Sequence, residues 1–181
     1  MNNIFIKILS NFNLKRNVIE VAFSEFDTII FLDTDIFLVN GVDFSLLEHL
    51  DEGVYIDKIF DIEQLRVIYG SLEYMEDYIG ELNKLYNDKL YLVHEGLLVF
   101  KITNQEQKKN FIDKWKEIDW KTRPNQRLAY DLPGAMEGLI IYMALRLSNL
   151  RIELANGELK DMFALVAHFA SRHKKLERTI I

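Results

Sequence analysis

The sequence predicts an α/β domain with a mostly parallel central sheet and helices on both faces. Three observations carry that expectation. Thr28 to Leu32 is an unbroken β-branched and apolar run, the pattern of a strand buried on both faces beneath helices. Leu90 to Ile102, LYLVHEGLLVFKI, is a second such stretch, apolar except for His94-Glu95-Gly96 and Lys101. Segments of helical period alternate with these strands, as layered α/β architectures require.

Composition narrows the class. The chain has 181 residues, enough for a sizeable core. It is 49% hydrophobic and 28% charged, with two prolines. A formal charge of −6 argues against nucleic acid as the main partner. Without cysteine, neither disulfides nor thiolate metal sites are possible. No apolar run approaches the roughly 20 residues of a membrane span. The start, MNNIFIKILSNFNLKRN, lacks the long apolar core and small-residue cleavage site of a signal peptide, so a cytoplasmic protein is expected.

Ile4 to Leu9 suits either a short strand or a helix start. Asn13 is a plausible N-cap, and Leu14, Val18, Val21, Ala22 and Glu25 follow helical spacing up to Phe26. After the buried strand comes a second apolar run, Ile36 to Val39. Gly41 breaks it, and Asp43 is expected to cap a short helix containing Phe44, Leu46, Leu47 and Leu50. Gly53 turns the chain into a strand at Val54 to Ile56. Asp61 to Asn87 is largely helical, with Gly70 and Gly80 as expected breaks and its acidic residues as a solvated face. Asn104 to Ile118 reads as a helix with Phe111, Trp115 and Ile118 facing in. Trp120 to Pro133 reads as irregular. Ala135 to Leu147 is a helix with Met136, Leu139, Ile140, Met143, Ala144 and Leu147 on its apolar side. Leu150 to Leu154 is a strand, and Leu159 to Ala167 is apolar enough to be packed.

The candidate chemistry centres on Asp33-Thr34-Asp35. Burying two carboxylates between apolar runs costs several kcal/mol each without compensation. A hard divalent cation supplies it, because such ions take carboxylate oxygens. Spaced i and i+2 on extended chain, the two side chains share a face and could reach one ion. The plainer reading is a pair of turn formers after a strand. Elsewhere, Gly96 inside a strand pattern suggests a bulge or a close approach to the backbone. Glu95 beside it is either functional or solvated in a loop. Glu137 falls in the first turn of its helix, where the dipole alone explains it. His168 closes an apolar run, as many structural histidines do. Arg172, His173, Lys174 and Lys175 suit either a solvated tail or phosphate oxygens.

These strings together resemble the glycosyltransferase A-type fold. The likeness is closest to the retaining, metal-dependent group of glycogenin-like and lipopolysaccharide galactosyltransferase-like enzymes. FDTIIFLDTDIFLV resembles the metal-binding aspartate motif. EGLLVFK resembles the strand that usually reads NSGVLLF, and AHFAS resembles the C-terminal histidine motif. The resemblance implies that Asp33, Asp35 and His168 hold Mn2+ (or Mg2+), which binds the diphosphate of a nucleotide-sugar donor. Two carboxylates and an imidazole also suit manganese by ligand preference. It further implies donor binding by Arg16 and Asn17, by the Gly96 region, and by Lys174 at the pyrophosphate. A sugar or glycan is the implied acceptor. Glu95 and Glu137 are candidate catalytic residues that orient acceptor or donor sugar, neither of them a nucleophile.

The sequence departs from that family in three places. His94-Glu95 stands for an Asn-Ser pair, and Glu137-Gly138 for an Asp-Gln pair. The aspartate motif also begins at residue 33, whereas further strands and helices precede it in the family and form the base pocket. The expectation is therefore a single glycosyltransferase-like domain over 1–181 with a truncated nucleotide-diphospho-sugar transferase fold. The chain alone is then expected to bind nucleoside diphosphates weakly and with little preference for base. Two alternatives are a non-catalytic truncated transferase domain and a haloacid-dehalogenase-type phosphatase. The latter shares a strand ending in Asp-x-Asp. It also needs a late strand ending in an acidic pair or a Gly-Asp motif, and Glu76-Asp77 lies in a helical region.

Overall fold

A computed structural model describes residues 4–9, 12–33, 43–62, 64, 73–87, 89–94, 96–126 and 133–164. In chain order the elements are β1 (Ile4–Leu9), α1 (Phe12–Glu25), β2 (Thr28–Asp33), a 3-10 turn (Ser45–His49), β3 (Gly53–Ile56) and β4 (Ile59–Asp61). After these come α2 (Glu73–Tyr86), β5 (Tyr91–Val93), β6 (Leu97–Lys101), α3 (Gln105–Gln126), α4 (Pro133–Leu147) and β7 (Ile152–Leu154). A last helix, α5, covers residues 157–164. The chain forms two compact units. One draws its described residues from 1–57, 96–105 and 152–181, the other from 58–95 and 106–151.

The first unit holds a five-stranded sheet in the order β1-β2-β6-β3-β7. β2 is an inner strand, as its apolar run predicts. The sheet is mixed, which corrects the expectation of a mostly parallel one. β1 pairs with β2, and β3 with β7, in parallel, while β6 runs antiparallel to both of its neighbours, β2 and β3. The reason is that Leu97 to Phe100 are buried throughout. A strand buried on both faces shows the same apolar run whichever way it points, so hydropathy carries no direction.

Both faces of this sheet are covered within the unit. Ile30 and Leu32 of β2, Leu97 and Val99 of β6 and Tyr55 of β3 form one buried cluster with Leu47 of the 3-10 turn and Leu159, Met162 and Phe163 of α5. Ile29 and Phe31 alternate to the other face, opposite Phe100 and Leu98. There Phe23 of α1 meets Phe100 edge-on, with ring centroids 5.5 Å apart. Each such fully buried side chain contributes about 1.5–3 kcal/mol of apolar burial.

Local chemistry fixes several boundaries differently from the sequence pattern. Ile4–Leu9 is strand. α1 begins at Phe12, so Asn13 lies inside it rather than capping it. Asp43 accepts a bond from the Ser45 backbone N–H at 2.9 Å, but the cap position falls to Phe44, without a side-chain cap bond, and the helix is only a short 3-10 one. Lys101 Nζ donates to the carbonyls of Leu47 and Glu48, at 3.3 and 2.7 Å, and so occupies acceptors that a longer helix would use internally. The second apolar run, Ile36 to Val39, lies outside the described residues, as does Gly70.

The second unit is built on α4. Leu139 to Leu145 are buried at every position. The one-sided apolar face expected of this helix is therefore a buried circumference, the mark of a core helix. Pro133 opens it, a position where its missing N–H costs nothing. α4 packs on β5, with Tyr91 and Tyr142 rings 5.3 Å apart, and β5 pairs antiparallel with β4. Leu90–Ile102 is thus two strands belonging to two sheets. α2 runs unbroken through Gly80, where no atom lies within 4 Å of an added Cβ. The expected break fails because one glycine lowers helix propensity by only about 1 kcal/mol, which neighbouring turns absorb. α3 buries Phe111, Trp115 and Ile118 as expected, but runs on to Gln126 through Pro124. Near a C-terminus a proline forfeits one backbone bond rather than several turns, so residues 120–126 are helical, not irregular. Among the described residues no helix is long and apolar enough to cross a membrane.

Candidate functional site

The first unit brings three sequence features to one end of its sheet. β2 is flanked by β1 and β6, and its last residue is Asp33. The carboxylate motif thus begins where strand pairing ends, at the C-terminal edge where α/β sheets place ligands. β6 starts at the same edge, because Leu97 pairs with Leu32. Continued by one residue, that register brings Gly96 opposite Asp33. Gly96 is buried in a turn.

α1 supplies the third feature. It is the crossover between parallel β1 and β2, so its first turns return over the strand ends. Two contacts fix its direction. Near its start, Lys15 Nζ lies 5.7 Å from the centroid of the Phe31 ring. Near its end, Phe23 meets Phe100, whose strand partner is Ile29. The helix therefore runs antiparallel to β2, with its N-terminal turns above the Asp33 end. Arg16 and Asn17 lie in those turns. The Arg16 guanidinium is half-buried and donates to Asn17 Oδ1 at 3.5 Å, the limit of a hydrogen bond.

The other expected site residues divide into two groups. The Asp33 side chain, Asp35, Glu95, His168 and Lys174 lie outside what the structure describes. Among the described residues no group of three or more His, Asp and Glu could hold a metal ion. The expected ligand set is still chemically suited to Mn2+ or Mg2+, being two hard oxygen donors and one imidazole. Glu137 belongs to the second unit and is 2% exposed. It is the fifth residue of α4, so it lies beyond the first turn expected for it. The helix-dipole explanation weakens accordingly, since that effect fades past the first turn.

Electrostatics at the periphery are simple. The Ser45 backbone N–H holds the Asp43 carboxyl below its ordinary value, with the Ser45 side chain adding to the effect.

Sequence reasoning passed over one residue of this sheet end. Lys15 is only 6% exposed. Its spacing to Ile19, Ala22 and Phe23, all buried, is i+4, i+7 and i+8, the inward stripe of a helix. Lys15 lies in the helix whether it starts at Phe12 or after an Asn13 cap, so that stripe is legible in the sequence. The chain matches no protein-family model, no curated protein and no solved structure.

Proposed function

We propose that the protein is a metal-dependent glycosyltransferase of the glycosyltransferase A-type fold, moving a sugar from a nucleotide-diphosphate sugar to an acceptor hydroxyl. The observation that carries the reading is the position of Asp33: last residue of an inner strand, one residue beyond the Leu32–Leu97 pair, with the first turns of α1 above it. An Asp-x-Asp begun there meets ligands arriving at the sheet's C-terminal edge.

In this reading Asp33, Asp35 and His168 hold Mn2+ or Mg2+, which acts as a Lewis acid toward the leaving diphosphate. Arg16 and Lys174 add positive charge against the phosphate oxygens. Gly96, lacking a side chain, lets the donor approach the backbone. Good positioning of the sugar and acceptor supplies most of the remaining acceleration. The acceptor oxygen forms a bond to the anomeric carbon. The bond to the diphosphate oxygen breaks with its electron pair, and the acceptor proton passes to the departing diphosphate or to solvent. The phosphatase alternative is not adopted, because Glu76-Asp77 lies within α2 and ends no strand.

The test is thermal melting and calorimetric titration. Mn2+ should raise the melting temperature, and Asp35→Asn should abolish most of that gain; one hundred times Kd of ligand corresponds to about 2.7 kcal/mol. Titration with UDP, GDP and CDP in the presence of Mn2+ then identifies the donor base, and sugar transfer is assayed with it. Identical melting of wild type and Asp35→Asn, with and without Mn2+, removes the metal site and the function built on it.

A further inference from the structure

We propose that Asn156 is a site of spontaneous modification, where the side-chain amide is lost and an aspartyl or isoaspartyl residue is left. The inference is independent of the metal-site reading above. Asn156 directly precedes α5, and its carbonyl accepts the first bond of that helix, from the Lys160 N–H at 3.2 Å. Gly157 follows as the first residue of α5. The leading N–H groups of a helix have no partner within it, so the Gly157 nitrogen stands outside the helix's own ladder. Both residues are exposed, and no atom lies within 4 Å of a Cβ added at Gly157. The nitrogen beside the Asn156 amide is therefore neither held by the helix nor shielded by a side chain. Asn149 is the contrast within the same chain. It is exposed too, but the nitrogen that follows it belongs to buried Leu150 and donates to the Leu145 carbonyl at 3.1 Å.

The only co-reactant is water. The Gly157 nitrogen attacks Cγ of Asn156, and a cyclic imide closes. The bond from Cγ to Nδ2 breaks with its electron pair, and Nδ2 leaves as ammonia with the proton from the Gly157 nitrogen. Water then opens the imide at either carbonyl, adding its oxygen to the carbon and returning a proton to nitrogen. Opening at Cγ leaves an aspartate. Opening at the main-chain carbon leaves an isoaspartate, with the backbone routed through the side chain. An aspartate suits the start of a helix. An isoaspartate lengthens the backbone ahead of α5, whose Leu159, Met162 and Phe163 are buried in the cluster with Ile30 and Leu97. That second product loosens one cover of the sheet.

The experiment ages the full chain in warm, mildly alkaline, oxygen-labelled water, then digests it with trypsin in ordinary water for mass spectrometry. Cleavage after Arg151 separates Asn156 from Asn149. The other Asn-Gly pair, Asn40-Gly41, lies outside the described residues and falls in a third peptide. Label should enter the Asn156 peptide about tenfold faster than the Asn149 peptide, equivalent to about 1.4 kcal/mol of barrier. Asn156→Gln, whose longer side chain closes the ring poorly, should take up almost no label there. Asn156→Asp is the ordinary product; it should fold and melt at or above wild type. The isoaspartyl fraction, separated by anion exchange, should melt below wild type. A rate at Asn156 no greater than at Asn149 in the folded chain overturns the proposal, as does reaction at Asn156 only after urea is added. An isoaspartyl fraction that melts with wild type overturns the effect on α5 while leaving the modification standing.

Discussion

In the first unit, the central residues belong to β2 and β6, and each points to one of two helical covers. In the second, the central residues belong to α4, and Leu139 to Leu145 are buried in every direction. The difference governs where charge can sit. A strand covered on both faces has no polar side, so its charged residues gather at its ends: Asp33 closes β2, and Lys101 closes β6. Helices instead carry charge inward: Lys108 and Glu137 in the second unit, each 2% exposed, and Lys15 in the first. A buried charge beside a strand end is thus a candidate for ligand chemistry. A buried charge within a helical core is first a packing element that its partners must satisfy.

The largest effects should come from the two cores. Phe100→Ala in the sheet should cost about 3–5 kcal/mol and Met143→Ala in α4 about 2–5 kcal/mol, read by urea denaturation. A loss under about 1 kcal/mol at either position would break the equivalence of the two centres.

Glu137→Gln sharpens the contrast in the role of charge. It should lower stability by about 1–3 kcal/mol, the cost of disturbing a buried polar group's bonding, while leaving Mn2+ binding unchanged. Unchanged stability with lost transfer would instead assign Glu137 to the chemistry.

Two glycines give a smaller and opposite pair. Gly80→Ala within α2 should stabilise by about 0.5–1 kcal/mol, because the site is open and alanine is the better helix former. Gly157, at the start of α5, has φ +50°, so Gly157→Ala should destabilise by about 1 kcal/mol. The same sign at both would contradict the backbone assigned to one of them.

The smallest effect is pH-dependent. The folded carboxyl of Asp43 titrates below its ordinary value because its charged form accepts the Ser45 N–H. Its contribution is therefore present above the unfolded value and is lost as pH falls through the folded one. Acid titration of stability should show a small loss in that range, absent in Asp43→Ala.

Much of this was legible in the residues. Thr28 to Leu32 announced an inner strand, Asp33 its end, and Ala135 to Leu147 a helix. The departures share a cause. Gly80, Pro124 and Asn13 are local signals of modest size, about 1 kcal/mol for a glycine and about 3 for an interior proline, and extended helices override them. Lys15 escaped notice because the stripe expected for its helix ran through Leu14, Val18 and Val21, whereas Val21 is exposed and the buried side runs through Lys15, Ile19, Ala22 and Phe23.

The sequence alone determined that Thr28 to Leu32 is strand, that Asp33 ends it and that Ala135 to Leu147 is helix, because periodicity and apolar runs are properties of neighbouring residues. Only the tertiary structure decided that β6 enters antiparallel between β2 and β3. It alone divided Leu90–Ile102 between two sheets, buried α4 on all sides and set the Lys15 ammonium over Phe31. Those outcomes depend on pairings between residues far apart in the chain, and a continuous apolar run is equally satisfied by a partner on either side and in either direction.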